Sequence, residues 1–243
     1  MIEVIPLGTV SPYCKDEKNC PGFLIKCNDY NLLLDCGNGI SRYLEFPNIL
    51  NNLYIFITHL HKDHYGDLST IEYASYVYNK IGLLDKKIQI YTPKSNAVCK
   101  NINYCDYYNI NENTLVKLGD LNISFHNNGS HDIESYMIKL EDSENKIVYT
   151  SDIGNINLDD VIRFSYNVDL LICESSLLKT HNKSSNHLCA YEAATIAREA
   201  KVKRLLLTHF WPEIDKEEYL NEASSEFSNT EVAIENKKIL VRK

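Results

Sequence analysis

The sequence predicts an α+β fold in which sheets pack together with helices on the outside. Many short apolar segments read as strands, the helical segments are few and separated, and a strand-rich first half gives way to alternating helix and strand. In chain order the strand segments are "EVIPLG" (3–8), "GFLIKC" (22–27), "YNLLLDCG" (30–37), "LYIFITH" (53–59), "KIQIYTP" (87–93) and "TLVKL" (114–118). They continue with "LNISFHN" (121–127), "SYMIKLE" (135–141), "KIVYTSD" (146–152), "VDLLICES" (168–175) and "KRLLLTH" (203–209). Each is rich in β-branched, aromatic or aliphatic residues over a strand's length. In the segment after Gly66, Leu68, Ile71, Ala74, Tyr78 and Ile81 recur mostly three or four apart, which predicts an amphipathic helix. Further helices are expected as a turn or two near Pro93, at "LDDVIRF" (158–164), from Ala190 to Ala200 and from Asp215 to Ser224.

A chain of 243 residues, 44% hydrophobic and 24% charged, is long enough for a substantial core and reads as a single domain over 1–243, with no linker or repeat. "MIEVIPLGTV" lacks a basic stretch followed by a long apolar core, and no apolar run approaches a membrane span, so a soluble cytoplasmic protein is expected. Eight irregularly spaced cysteines, several within strands, read as reduced core residues. The formal charge of −8 argues against broad nonspecific nucleic-acid binding.

The most informative stretch is "THLHKDHYGD", residues 58–67, on the turn leaving a strand. Two histidines two apart cannot share a helix face, but on an extended or turning backbone His59 and His61 can converge on one ion. Asp63 and His64 are adjacent and should project toward a second ion. His131 follows one strand segment, and Asp152 and His209 end two others. Any one of these alone is more often structural than ligating; their repetition at strand ends is the signal. Two ions about 3.5–4 Å apart need roughly this many protein donors, with a shared oxygen between them.

"THLHKDH", with the later His, Asp and His, resembles the metallo-β-lactamase superfamily, and the similarity runs from "IPLGTVSP" and "NLLLDCGNG" to "LLLTHF". The resemblance implies a four-layer αβ/βα sandwich and a dinuclear site. His59, His61 and His131 would hold one zinc, Asp63, His64 and His209 the other, and Asp152 would bridge them. Manganese or iron would also fit such a site.

The C-terminal third is similar to the ribonuclease Z group of phosphodiesterases, whose His-Glu-Ala-Thr motif is followed by a later histidine and an Ala-rich helix. Glu174 matches the glutamate and His187 the later histidine, while Cys173, Ser175, Ser176 and Cys189 depart from the pattern. The resemblance implies a hydroxide shared by two ions, Asp63 both ligating and orienting it, and His187, oriented by Glu174, assisting the leaving group. The alternative for His187 is a surface residue among Ser184, Ser185 and Asn186 as caps for the next helix. A carboxylate ending an apolar strand, as Glu174 does, is costly unless paired.

Members that mature transfer-RNA 3′ ends carry a long arm between the third histidine and the bridging aspartate. Here "DIESYMIKLEDSENKIVYTS" is accounted for by a two-strand hairpin. The preferred substrate is therefore a small phosphodiester: a cyclic nucleotide, cyclic phosphate or short oligonucleotide. Ester, lactone or thioester hydrolysis, ribonuclease Z-type processing and a non-catalytic scaffold are the alternatives; the last would be expected to lack ligands. Asp35 is expected to orient a ligand histidine, and Asp67 to do the same or cap the following helix. His181 is expected to be solvated, and His126 is a substitute ligand only if the register is shifted. Cys14 and Cys20 raise a structural metal as a minor idea, and the tyrosines from Tyr65 to Tyr78 read as pocket lining or core. Relatives often dimerise, and the apolar stretch 73–84 suits either an interface or core.

Overall fold

The computed structural model describes residues 1–98, 104–154, 157–181 and 186–242. Six strands open the chain: β1 Ile2–Gly8, β2 Gly22–Cys27, β3 Tyr30–Leu34, β4 Leu53–Phe56, β5 Ile88–Thr92 and β6 Cys105–Asn109. They are followed by β7 Leu115–Leu118, β8 Leu121–Asn127, β9 Tyr136–Glu141, β10 Lys146–Tyr149, β11 Leu170–Glu174, β12 Leu205–Thr208, β13 Thr230–Val232 and β14 Ile239–Val241. The helices are α1 Lys62–Tyr65, α2 Leu68–Lys80, α3 Ser95–Val98, α4 Leu158–Phe164, α5 Ala190–Glu199 and α6 Lys216–Ser224.

Two mixed sheets result, ordered β14-β1-β2-β3-β4-β5-β6 and β13-β12-β11-β10-β9-β8-β7. Each has an antiparallel part built from hairpins and a parallel part built from crossovers. The central parallel strands β11 and β12 are buried on both faces and correspondingly apolar. In β11, Leu170 and Ile172 face the inter-sheet core with Phe56, Phe125 and Tyr149. Leu171 and Cys173 face the layer formed with α4, α5 and α6. Behind the first sheet, Leu68 and Ile71 of α2 pack with Leu33, Ile55 and Ile90. Helix, sheet, sheet, helix is the four-layer sandwich anticipated from the sequence.

β3, β4, β10, β11 and β12 all end toward one edge of this sandwich. β8 ends there too, because two antiparallel reversals separate it from β10. Ligands in open α/β sheets collect at such carboxyl ends, and the seven candidate metal ligands follow one of these strands or sit on the helical turn after β4.

The expected strands and longer helices form where predicted; the differences are local. β6, β13 and β14 were not anticipated: "CDYYN" is polar-aromatic, and "TEV" and "ILV" are too short to register without the neighbours they pair with. The motif loop contains a single turn of helix, α1. Ile81, expected on the apolar face of α2, lies past its end and is exposed, as are Tyr73, Val77 and Leu83. The stretch 73–84 is thus part core, through half-buried Tyr78, and part apolar surface. Its tyrosines form no single stripe: Tyr76 packs on Tyr104 and Tyr78 on Phe46.

The alternative reading of this segment made Ser184, Ser185 and Asn186 caps of α5. Ser184 and Ser185 lie outside the described residues, and the N-cap is Cys189, whose backbone N–H donates to Glu192 at 2.9 Å. Among the described residues the cysteines are free, and all but Cys14 are buried. No helix among the described residues is long and apolar enough to cross a membrane.

Ile172 has no exposure at the centre of the inter-sheet core. Ile172→Ala is expected to cost about 2–5 kcal/mol in urea unfolding. A loss below about 1 kcal/mol would mean the two sheets collapse around the void.

Candidate metal centre

β4 ends at Phe56, and the chain continues through Ile57, Thr58 and His59 to an extended His61 before α1 begins. His61 is the N-cap of α1 and accepts the backbone N–H of His64 at 3.0 Å. That one turn makes Asp63 and His64 diverge from His59 and His61.

The seven expected ligands fall into two groups, His59, His61, His131 and Asp152 in one and Asp63, His64 and His209 in the other, and a third group of Asp152, His187 and His209 overlaps both. In the first, His59 Nε2 and His131 Nε2 each lie 3.1 Å from His61 Nδ1. In the second, His64 Nε2 and His209 Nε2 are 3.2 Å apart. Asp152 reaches both. Its Oδ1 lies 3.2 Å from His64 Nε2 and 3.0 Å from His209 Nε2, while Oδ2 lies 3.6 Å from His59 Nε2 and 3.9 Å from His131 Nε2. All seven ligand residues expected from the sequence are thus brought together, with one oxygen of Asp152 turned to each group.

Whether these residues fit a metal pair can be judged from their own chemistry. Imidazole nitrogens converge edge on, and buried Asp152 Oδ1, although 3.0 and 3.2 Å from His209 and His64, receives no well-directed hydrogen bond. A buried carboxylate oxygen left so is costly unless a cation serves it. Nitrogen and carboxylate donors at this spacing suit divalent ions of the zinc, manganese or iron type.

The protonation tendencies point the same way. Burial, reinforced by the neighbouring histidines, pushes His59 well below the usual imidazole range. Burial also opposes charge on His64 and His209, but Asp152 and the other carboxylates outweigh it. His64 is held well above its ordinary value, and His209 is raised to about 10. Burial alone would raise Asp63 and Asp152; the histidines beside them reverse this and hold both below the usual carboxylate range. The cluster therefore keeps its carboxylates ionised and wants positive charge among them.

Supporting groups fix each ring. Asp35, fully buried, engages His64 Nδ1 at 2.8 Å, as expected for an orienting carboxylate. It also accepts from Thr58 N at 2.8 Å, Thr58 Oγ1 at 2.9 Å and Tyr149 Oη at 2.8 Å. His59 Nδ1 sits against Thr58 Oγ1 and Ser151 Oγ at 3.1 and 3.2 Å. His131 Nδ1 faces the backbone carbonyl of Asn186 at 3.3 Å. Ser11 Oγ donates to Asp63 Oδ2 at 2.8 Å, and Ser176 Oγ contacts His209 Nδ1 at 2.8 Å. Ser11, Ser151 and Tyr149 carried no signal in the sequence; for Ser176 the clue was a hydroxyl kept where the motif has threonine.

Glu174 is buried and well satisfied. Oε1 accepts from Ile153 N at 3.0 Å and pairs with His187 Nδ1 at 2.9 Å; Oε2 accepts from Ser176 Oγ at 3.0 Å. His187 is not a detached surface residue. A ring nitrogen lies within 4.8 Å of donor atoms of Asp152 and His209, and its ring centroid is 5.6 Å from that of His131. Burial lowers its basicity, but adjacent Glu174 outweighs this and raises it above the usual range.

Other expectations are corrected. Asp67 neither orients a ligand nor caps α2 with its side chain: Oδ2 accepts from Ser41 N at 2.9 Å. His181 is not simply solvated, since its Nδ1 accepts from Leu178 N and its ring stacks on Trp211. His126 pairs with Glu112 and stacks on Phe164, belonging to neither donor group. Cys14 and Cys20 bring their Sγ atoms within 3.6 Å, but among the described residues no His, Asp or Glu completes a metal group with them.

A family model described as the beta-lactamase superfamily domain matches residues 30–210. A probable metallo-hydrolase of Bacillus subtilis, YhfI, is 26% identical over 247 residues covering 96% of each chain. The crystal structure of YhfI aligns over 98% of both chains with a TM-score of 0.90 and 24% identity. Ribonuclease Z of Pyrococcus furiosus is 27% identical over 282 residues, covering 90% of this chain and 89% of that one. The short form of human tRNase Z shares the fold, with a TM-score of 0.77 at 21% identity over 99% of this chain and all of that one.

Asp35→Ala removes the partner of His64 Nδ1, so affinity for divalent metal should fall about 10–100-fold in chelator competition. Unchanged affinity in folded protein would show that α1 alone orients the ring.

Proposed function

The chain belongs to the beta-lactamase superfamily, and from that premise we propose that this metallo-hydrolase, related to ribonuclease Z, is a phosphodiesterase acting on a small phosphodiester. Two divalent ions, when bound, would supply Lewis-acid charge and an activated water. His59, His61, His131 and Asp152 would hold the first ion, and Asp63, His64, His209 and Asp152 the second. Asp63, steadied by Ser11, also orients the attacking water. As that water adds to phosphorus the ester P–O bond breaks, and the departing alkoxide needs a proton.

The observation that carries this reading is the pair His187–Glu174 beside the metal cluster. Glu174 Oε1 accepts from Nδ1–H of His187 at 2.9 Å, which leaves Nε2 for the leaving oxygen. The raised basicity of His187 favours the imidazolium that donates from Nε2. Hydrolysis at a carbonyl carbon makes less use of such a pair, so ester, lactone and thioester turnover stands as the alternative.

The preference for a small substrate rests on the chain between His131 and Asp152. It consists of β9, a turn at Asp142–Asn145 and β10, paired with Glu141 opposite Lys146. No gripping arm occupies this position. Ribonuclease Z-type processing is the second reading, favoured by the likeness to the Pyrococcus enzyme along most of the chain.

Removing the metals should abolish hydrolysis of a chromogenic phosphodiester, and zinc or manganese should restore it. Turnover of lactones or esters alone by protein holding two metals would replace the phosphodiester reading. Faster cleavage of a transfer-RNA precursor than of cyclic nucleotides would favour the ribonuclease reading. His187→Ala should lower kcat about 10²–10⁴-fold on an alkyl-leaving diester, with less loss on a p-nitrophenyl diester, whose leaving group needs no proton. Equal losses on both would remove the proton-donor role from His187.

A further inference from the structure

Asp132 follows His131 directly and takes no part in the ligand set described above. Its carboxylate is half exposed, with Oδ1 3.1 Å from His131 Nε2 and 3.5 Å from His61 Nε2. Among the described residues these two imidazoles are its ion-pair partners; no lysine or arginine there shares its charge. Asp152 approaches the same rings from the interior, where its side chain is only 3% exposed. The first position therefore has a carboxylate on each side, one buried and one open to solvent.

The spacing is that of neighbouring ligands. Two donors each about 2.0–2.1 Å from one ion stand about 3–3.5 Å apart when adjacent. His59 Nε2 and His61 Nδ1, both in the first group, are 3.1 Å apart, as are His131 Nε2 and His61 Nδ1. Asp132 Oδ1 stands at that same distance from His131 Nε2. It lies outside the four-donor group, and its half-exposed side chain would have to turn inward to join it.

We propose that Asp132 is an exchangeable additional ligand of the first metal position, closing its solvent side and biasing it toward an ion with five or six nitrogen and oxygen donors. This inference rests on the dinuclear reading above. Zinc is most often content with four donors, whereas manganese and iron accept more, and carboxylate oxygen suits manganese. Three imidazoles with Asp152 already offer four protein donors, and a second carboxylate favours the larger set. The same carboxylate meets incoming substrate. An anionic phosphodiester must displace it, and its exposure leaves it room to swing away.

The test compares the full-length protein with Asp132→Asn, which keeps size and removes charge, and Asp132→Glu, which keeps the carboxylate. Metal-free samples, matched in thermal midpoint, are titrated with Mn²⁺ and with Zn²⁺ against a chelator, and bound Mn²⁺ is followed by paramagnetic resonance. The expected result is two ions bound by each protein, with Mn²⁺ affinity at one site about tenfold or more weaker in Asp132→Asn. Zn²⁺ should change less, the Mn²⁺ spectrum should alter, and Asp132→Glu should recover much of the affinity. Identical Mn²⁺ titrations and spectra for the wild type and Asp132→Asn, with two ions bound by both, overturn the role of Asp132 and leave the dinuclear reading standing. A wild type that binds fewer than two ions overturns that reading, and this inference with it.

Discussion

The carboxylate of Asp35 is the constraint on which the site depends. It is fully buried at the exit of β3, and a buried carboxylate is tolerable only when hydrogen-bonded on several sides. Its donors come from three places: the backbone and hydroxyl of Thr58 after β4, the ring of His64 in α1, and the hydroxyl of Tyr149 at the end of β10. Tyr149 belongs to the other sheet. One side chain thus joins the two layers at the edge where the donors meet, and it fixes the tautomer of a histidine in the second group. Removing it would leave several polar groups buried without partners, costlier than the loss of a single bond.

Around that joint the backbone accepts unfavourable conformations. Asp35, Ser151 and His209 all have φ between 56° and 65°, in the left-handed region that non-glycine residues seldom occupy. Such residues typically cost of order 1–3 kcal/mol each and persist where surrounding structure over-determines them. Here each lies just beyond a strand of the parallel half of a sheet, where the chain must turn sharply. Without the turn, the carboxylates and imidazoles of this edge would not face one another. The packed core on both sides of β3, β10 and β12 supplies the rigidity that holds these turns.

Much of the site was legible because its residues are chemically conspicuous. His59, His61, Asp63, His64, His131, Asp152 and His209 combine unusual residue types with repeated placement after apolar strands, and Asp35 and Glu174 are carboxylates ending strands that are otherwise apolar. The hydroxyls were not legible. Ser11, Ser151, Ser176 and Tyr149 belong to residue types common everywhere, and what matters is which distant atom each meets. Ser11 and Asp63 are 52 residues apart, and Tyr149 and Asp35 are 114 apart. Asp132 was overlooked because beside a histidine in a polar turn it looks like any surface aspartate. Asp67 was misjudged for the opposite reason: its position before a helix suggested capping, while its side chain had a better donor in Ser41 N.

The sequence by itself determined the layered class of fold, the strand edge that carries the site and the identities of its principal donors. Those properties follow from local pattern: periodicity, strand length and the rarity of clustered imidazoles and carboxylates. The resemblance implied how the donors divide, and the tertiary structure supplied the geometry that divides them. The single turn of α1 separates Asp63 and His64 from His59 and His61. The packing of the two sheets turns one oxygen of Asp152 to each group, sets His187 on Glu174 beside them and leaves Asp132 on the open side. These depend on side-chain direction across contacts many residues apart, which folding resolves and a linear pattern does not encode.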